Sequence, residues 1–232
     1  MNARDRLIVA LDVGSAEEAL ALVERLAGLG GMFKVGSQLF TAAGPDFVHG
    51  LVARGEKVFL DLKYHDIPNT VAGAVSAACR LGVSLVDVHA LGGQAMMEAA
   101  VGAMPAMGTR LLAITVLTSH DAAELGELGV TGDVTDNVRR LARLAHAAEV
   151  DGVVASPQEV PIVREVCGKD FLVVTPGIRP AGARAGDQAR LATPASALKA
   201  GADMLVVGRP IIEAADPAAA ARAILAEMEG AA

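Results

Sequence analysis

Tryptophan is absent from this 232-residue chain, and tyrosine occurs once, at Tyr64. A core without large aromatics has to be assembled from Val, Leu, Ile and Ala, and a hydrophobic content of 53% supplies enough of them. Cysteine is almost as scarce. Cys79 and Cys167 stand far apart, with no Cys or His at ligand spacing, which argues against a structural zinc site and leaves two buried free thiols as the expectation. Basic residues are outnumbered, 20 Lys and Arg against 27 Asp and Glu, for a formal charge of −7. A nucleic-acid groove needs basic surface, so that class falls away; a small anionic ligand, held by a local site, does not. No apolar run approaches the roughly 18 residues of a membrane span. The run in "MNARDRLIVALD" is cut by Asp12, far too early for a signal peptide, so the expectation is a cytoplasmic protein. No Gly/Ser linker or composition shift divides the chain, and residues 1–232 read as one domain.

What the chain does have is repetition. Eight short β-branched runs recur: "LIVAL" (7–11), "MFKV" (32–35), "VFLDL" (58–62), "LVDVH" (85–89), "LLAITVL" (111–117), "GVVAS" (152–156), "FLVVT" (171–175) and "MLVVG" (204–208). Near-continuous apolar strands imply burial on both faces, as in parallel sheet. Between them lie helical patterns. "SAEEALALVERLAGLG" opens on Ser15 with Glu18 three residues on, a capping-box spacing, and Ala19, Leu22, Val23, Leu26 and Leu29 form one apolar stripe. Further helices fit "TVAGAVSAACRLG", "GQAMMEAAVGAM", "VTDNVRRLARLAHAAE", "SPQEVPIVREVCG", "TPASALKAGA" and "DPAAAARAILAEMEG". This alternation predicts an α/β fold, a (β/α)8 TIM barrel, with a doubly wound open sheet as the other architecture.

In such barrels chemistry gathers at the C-terminal ends of the strands. Those positions here are polar: Asp12, Lys34, Asp61 with Lys63, His89, Thr118, and then Gly208 with Arg209. Lysines inside apolar strands are the informative members, because a lone buried charge costs several kcal/mol unless it is paired. Asp61 and Lys63, two apart, point to one face of the third strand. They form either a structural ion pair or a charge array that holds one ammonium ready to deliver a proton. Asp66 lies past the strand end. Near the C-terminus, "GRPI" places Arg209 at a helix start, where N–H groups favour an anion, and "GIRPAGARAGDQAR" (177–190) has the Gly, Ala and Arg of a mobile lid or a plain surface loop. A phosphate site after strands seven and eight is recurrent in this architecture.

"DLKYHDIPNT", followed in order by "TVLTS", "TPGIRP", "GDQ" and "VGRPI", resembles the orotidine 5′-phosphate decarboxylases of bacteria, over nearly the whole chain from Ile8 to Ile211. The resemblance implies conversion of orotidine monophosphate to uridine monophosphate and carbon dioxide in pyrimidine biosynthesis, with no metal or organic cofactor. It also implies a homodimer in which Asp66 and Thr70 complete the neighbour's site. Carried over by residue, Lys63 matches the proton donor, and Lys34, Asp61 and Asp66 match the rest of the charged network. Asp12 matches a ribose-binding carboxylate and Thr118 a ligand contact. Arg179, Gln188, Gly208 and Arg209 match the phosphate and lid contacts.

Two rivals stand beside this reading. Magnesium-dependent sugar-phosphate decarboxylases and aldolases share the D-x-K-x-x-D arrangement, but strand two offers Lys34 where a metal site would prefer a carboxylate. A non-catalytic barrel that binds phosphorylated ligands would have no need of a buried proton donor. His65 is expected to be structural, and His89 to line the pocket or to pack.

Overall fold

The computed structural model of the chain describes residues 2–105, 108–180 and 191–231. All eight expected runs form strands: β1 (Leu7–Ala10), β2 (Met32–Gly36), β3 (Val58–Tyr64), β4 (Leu85–His89), β5 (Arg110–Ile114), β6 (Gly152–Val154), β7 (Leu172–Thr175) and β8 (Met204–Val207). They pair in sequence order, all parallel, and β8 closes on β1 as a barrel. The open-sheet alternative is thereby excluded.

Strand alternation sorts the side chains into two sets. Ile8, Ala10, Met32, Phe59, Leu85, Leu112, Leu172, Val174, Met204 and Val206 fill the barrel interior. The intervening positions, such as Leu7, Val9, Phe33, Val35 and Leu60, pack outward against helix residues that include Leu22, Val23 and Leu51. Each such side chain contributes about 1.5–3 kcal/mol on full burial, so an aliphatic barrel needs no tryptophan. Where β6 meets β7 the fit demands glycine: a Cβ on Gly152 would lie 2.2 Å from the Leu172 carbonyl oxygen.

Helices form where the apolar stripes predict them, and the short helices Ala3–Arg6 and Ala122–Glu127 add to those expected. Ser15 does cap Ala16–Arg25, its Oγ accepting the Glu18 amide at 3.2 Å, but the Glu18 carboxylate takes the Gly14 amide instead of returning to Ser15. The capping box is therefore half-formed. The helix Ser37–Ala53 was not legible, because Gly44 (φ 73°) followed by Pro45 kinks it and interrupts its apolar period. The cysteines are half-buried and free, not fully buried as expected. Burial pushes the Cys167 thiol up to about 11, so it is no nucleophile.

The interior stripe, followed one step further toward the C-terminal ends of the strands, builds the site. Past Ala10, Met32, Phe59 and Leu85 come Asp12, Lys34, Asp61 and Asp87, all ionisable. Past Leu112, Val174 and Val206 come Ile114, Pro176 and Gly208, which carry no charge. At these interior positions one half of the barrel mouth is thus charged and the other is not.

Candidate active site

A cavity of about 460 Å³ opens at that mouth, and Asp12, Lys34, Asp61, Lys63, Thr118, Arg179, Gly208 and Arg209 all line it. Eight of the eleven residues named from the sequence therefore meet in one place. Their charges form a chain. The Lys34 ammonium lies 3.0 Å from Asp12 Oδ1 and 3.1 Å from Asp61 Oδ2, while the Lys63 ammonium bonds Asp61 Oδ1. Lys34 and Asp61 are each 8% exposed, so neither has bulk water to solvate it. Burial by itself would strip the proton from Lys34, but the Asp61 and Asp12 carboxylates outweigh it and raise its pKa. Burial would likewise push Asp61 up, and the Lys34 and Lys63 charges overcome it and hold that carboxyl well below the usual range. An ammonium thus occupies the space between two carboxylates where a divalent cation would otherwise bridge them.

The same strand departs from regular geometry. Leu60 pairs with Val86 and Tyr64 with Val88, so residues 61–63 stand opposite the single residue Asp87. This is a bulge, and Lys63 sits in it at φ 51°, a left-handed conformation that costs a non-glycine residue on the order of 1–3 kcal/mol. Simple alternation anticipated that Asp61 and Lys63 would meet; it did not anticipate the bulge that brings them together. Nor was Asp87 singled out. It is fully buried, and its Oδ1 accepts the Lys63 amide at 2.8 Å. The available signal was a carboxylate inside "LVDVH", at the interior position of an apolar strand.

On the far wall Arg179 is buried, with Nη1 donating to the Ile178 carbonyl at 2.9 Å, and Arg209 opens the short helix Arg209–Ile212. Gly208 precedes it, and a Cβ there would crowd Ala10 and Asp12 at 3.4 Å. Two cationic side chains therefore face the charged array across the cavity. Gln188 and most of the 177–190 loop lie outside the described residues.

Asp66 and Thr70 do not reach the cavity of their own chain. Both are exposed on the segment that follows β3, where Ile67 is also 66% exposed. His89 does not line the cavity; it packs against the His65 ring, with centroids 5.5 Å apart.

Fold and mouth together define the class: a barrel protein whose strand ends carry a lysine–aspartate array opposite a cationic wall. Within that class the chain belongs to the orotidine 5′-phosphate decarboxylase / HUMPS family, whose profile matches residues 5–224. It is 58% identical to the orotidine 5′-phosphate decarboxylase of Halorhodospira halophila, over 97% of either chain. Identity is 53% to that of Moorella thermoacetica, over 99% of this chain and 94% of the relative. A crystal structure of orotidine 5′-phosphate decarboxylase from Lactobacillus acidophilus superposes with a TM-score of 0.84 at 41% identity, covering 96% of this chain and 98% of that one.

The histidine stack generates a pH prediction. Burial first, then the charges of His65, Lys63 and His120, push His89 down to about 4. The folded chain thus keeps this ring neutral while the unfolded chain protonates it near 6.5, so its contribution to stability is complete above that pH and is lost as pH falls toward 4. An NMR titration of the His89 ring should give a midpoint near 4, and His89→Gln should flatten the stability profile between pH 6.5 and 4. A ring midpoint near 6.5 would contradict this environment.

Proposed function

We propose that the chain decarboxylates orotidine 5′-monophosphate to uridine 5′-monophosphate and carbon dioxide, without metal or organic cofactor, in cytoplasmic pyrimidine synthesis. Family membership supports the substrate. The observation that carries the chemistry is the Asp12–Lys34–Asp61–Lys63 chain at the cavity floor. Loss of carbon dioxide breaks a carbon–carbon bond and leaves its electron pair on a ring carbon. With no Schiff base, thiamine or metal to absorb that pair, fixed charge has to stabilise it where it forms. The Lys63 ammonium, joined to Asp61 and still partly open to the cavity, is the group for this role. It faces the forming carbanion and then transfers its proton there, yielding the product C–H bond and a neutral amine.

Asp61 stands beside the departing carboxylate, where its negative charge favours loss of the substrate's own. Lys34 keeps the array oriented and near neutral, while Asp12 also faces the cavity and suits a ribose hydroxyl. Arg179, Arg209, the Gly208 backbone and Gln188 are assigned to the phosphate, and Thr118 to the ligand's remaining polar edge. Phosphate binding is remote from the bond that breaks, yet its energy can order the array. An acceleration of the larger enzymatic kind needs about 20 kcal/mol of transition-state stabilisation, more than any one of these contacts supplies.

The magnesium-dependent rival is disfavoured by Lys34, whose ammonium already bridges the carboxylates such a metal would need. The binding-only rival leaves the Lys63–Asp61 pair without a purpose. We further infer a single catalytic domain over residues 1–232 and a homodimer in which Asp66 and Thr70 complete the neighbour's array. In support, Asp66, Ile67 and Thr70 are exposed beside the mouth and make no cavity contact of their own.

Orotidine monophosphate should lose its ultraviolet absorbance at a rate indifferent to excess chelator, and Lys63→Ala should reduce kcat by about a thousandfold or more. A folded wild-type protein without turnover, or one silenced by chelator, would overturn the assignment. Lys63→Ala and Asp66→Asn chains, each inactive alone, should regain up to about a quarter of wild-type activity when refolded together, because a random mixture pairs one intact site in half of its dimers. No recovery in a mixed dimer would place Asp66 outside the neighbour's site.

A further inference from the structure

Asp87 is a buried ionisable group that the mechanism above leaves without a task. It is wholly inaccessible, at the interior position of β4, the strand beside β3, and stands opposite residues 61–63 in the register. One of its oxygens is committed: Oδ1 accepts the Lys63 amide at 2.8 Å, replacing the ladder bond that the β3 bulge removes. The other, Oδ2, is buried and receives no hydrogen bond among the described residues. Its polar neighbour is the Asp61 carboxylate, which already takes both lysine ammoniums.

Two carboxyl groups in contact and out of water do not both ionise. Asp61 has two cations and keeps its charge. The proton therefore belongs to Asp87, on the oxygen that has nothing else to bond. We propose that Asp87 is a positioning residue that works as a neutral carboxylic acid, its Oδ1 taking the Lys63 amide and its Oδ2 hydroxyl donating to Asp61. One side chain then sets both ends of the catalytic pair, fixing the backbone from which Lys63 springs and the carboxylate that receives its ammonium. The ionisation behaviour agrees in direction: burial, then the Asp61 charge, raise Asp87 well above the usual carboxylate range against the opposing charge of Lys63. Tyr64, the other titratable group that faces Asp87, is raised in turn by burial and by that carboxyl.

The kinetic part of this inference rests on the decarboxylase reading; the protonation state does not. Asp87→Asn retains an acceptor for the Lys63 amide and a donor for Asp61, so its kcat should stay within about threefold of wild type. Asp87→Ala leaves the amide unpaired and should lower kcat about a hundredfold or more with little change in KM, since the phosphate wall is untouched. Difference infrared spectra at neutral pH should show the C=O stretch of an un-ionised carboxyl in wild type that vanishes in Asp87→Asn. Should Asp87→Ala fail to fold, Asp87→Asn and the spectrum decide the matter alone. An Asp87→Asn variant as impaired as one lacking Lys63, an Asp87→Ala variant with unchanged kcat, or a wild-type spectrum without that band would each overturn the proposal. If wild type has no turnover but shows the band, the reaction assignment fails while the neutral carboxyl stands.

Discussion

Everything at the mouth of this barrel depends on one buried ammonium, that of Lys34, held between Asp12 and Asp61 at 3.0 and 3.1 Å. An unpaired lysine at 8% exposure would give up its proton, and an unpaired Asp61 beside it would take one. Each keeps the other charged. The pairing is delivered by three neighbouring strands, since β1 sets Ala10 beside Lys34 and β2 sets Gly36 beside Asp61. Gly36 is part of the same constraint, because a Cβ there would stand 3.0 Å from the Lys34 ammonium.

From that fixed point the functional geometry extends in two directions. Toward β4, Asp61 engages Lys63, whose strained backbone is received by Asp87. Strain of this kind persists only where surrounding contacts over-determine it, and a fully buried carboxyl accepting the amide is such a contact. Across the cavity lie Arg179 and Arg209, with Glu213 also lining it. The division suits a ligand whose anionic tail is bound far from the atom that reacts. Binding energy gained at the tail is then available to order the array before any bond breaks.

The barrel was legible because its evidence is local: each strand is a short apolar run, and the run length survives without knowledge of its neighbours. Kinked elements were not, as the helix Ser37–Ala53 illustrates, since Gly44 and Pro45 erase the period that would reveal it. In the site, Asp12, Lys34, Asp61 and Lys63 announced themselves as charges in or just after apolar strands. Asp87 is such a charge too, but its meaning depends on a register shift between β3 and β4, a property of two strands at once. Asp66 and Thr70 carried no physical signal in the sequence beyond their resemblance to a known motif, because an exposed residue after a strand is ordinary. The half-formed cap at Ser15 shows the same limit on a small scale: spacing identified the partners, and only the backbone decided which amide Glu18 would reach.

The central claim is that the charges act as one preassembled unit. A double-mutant cycle on kcat/KM with Lys34→Met, Asp61→Asn and the pair tests it most directly. If the unit is real, removing the second partner should cost less than about tenfold beyond the more damaging single change, because either loss already disassembles the array. Two losses that multiply within experimental error would show that Lys34 and Asp61 act independently, and the account built on their mutual dependence would be wrong.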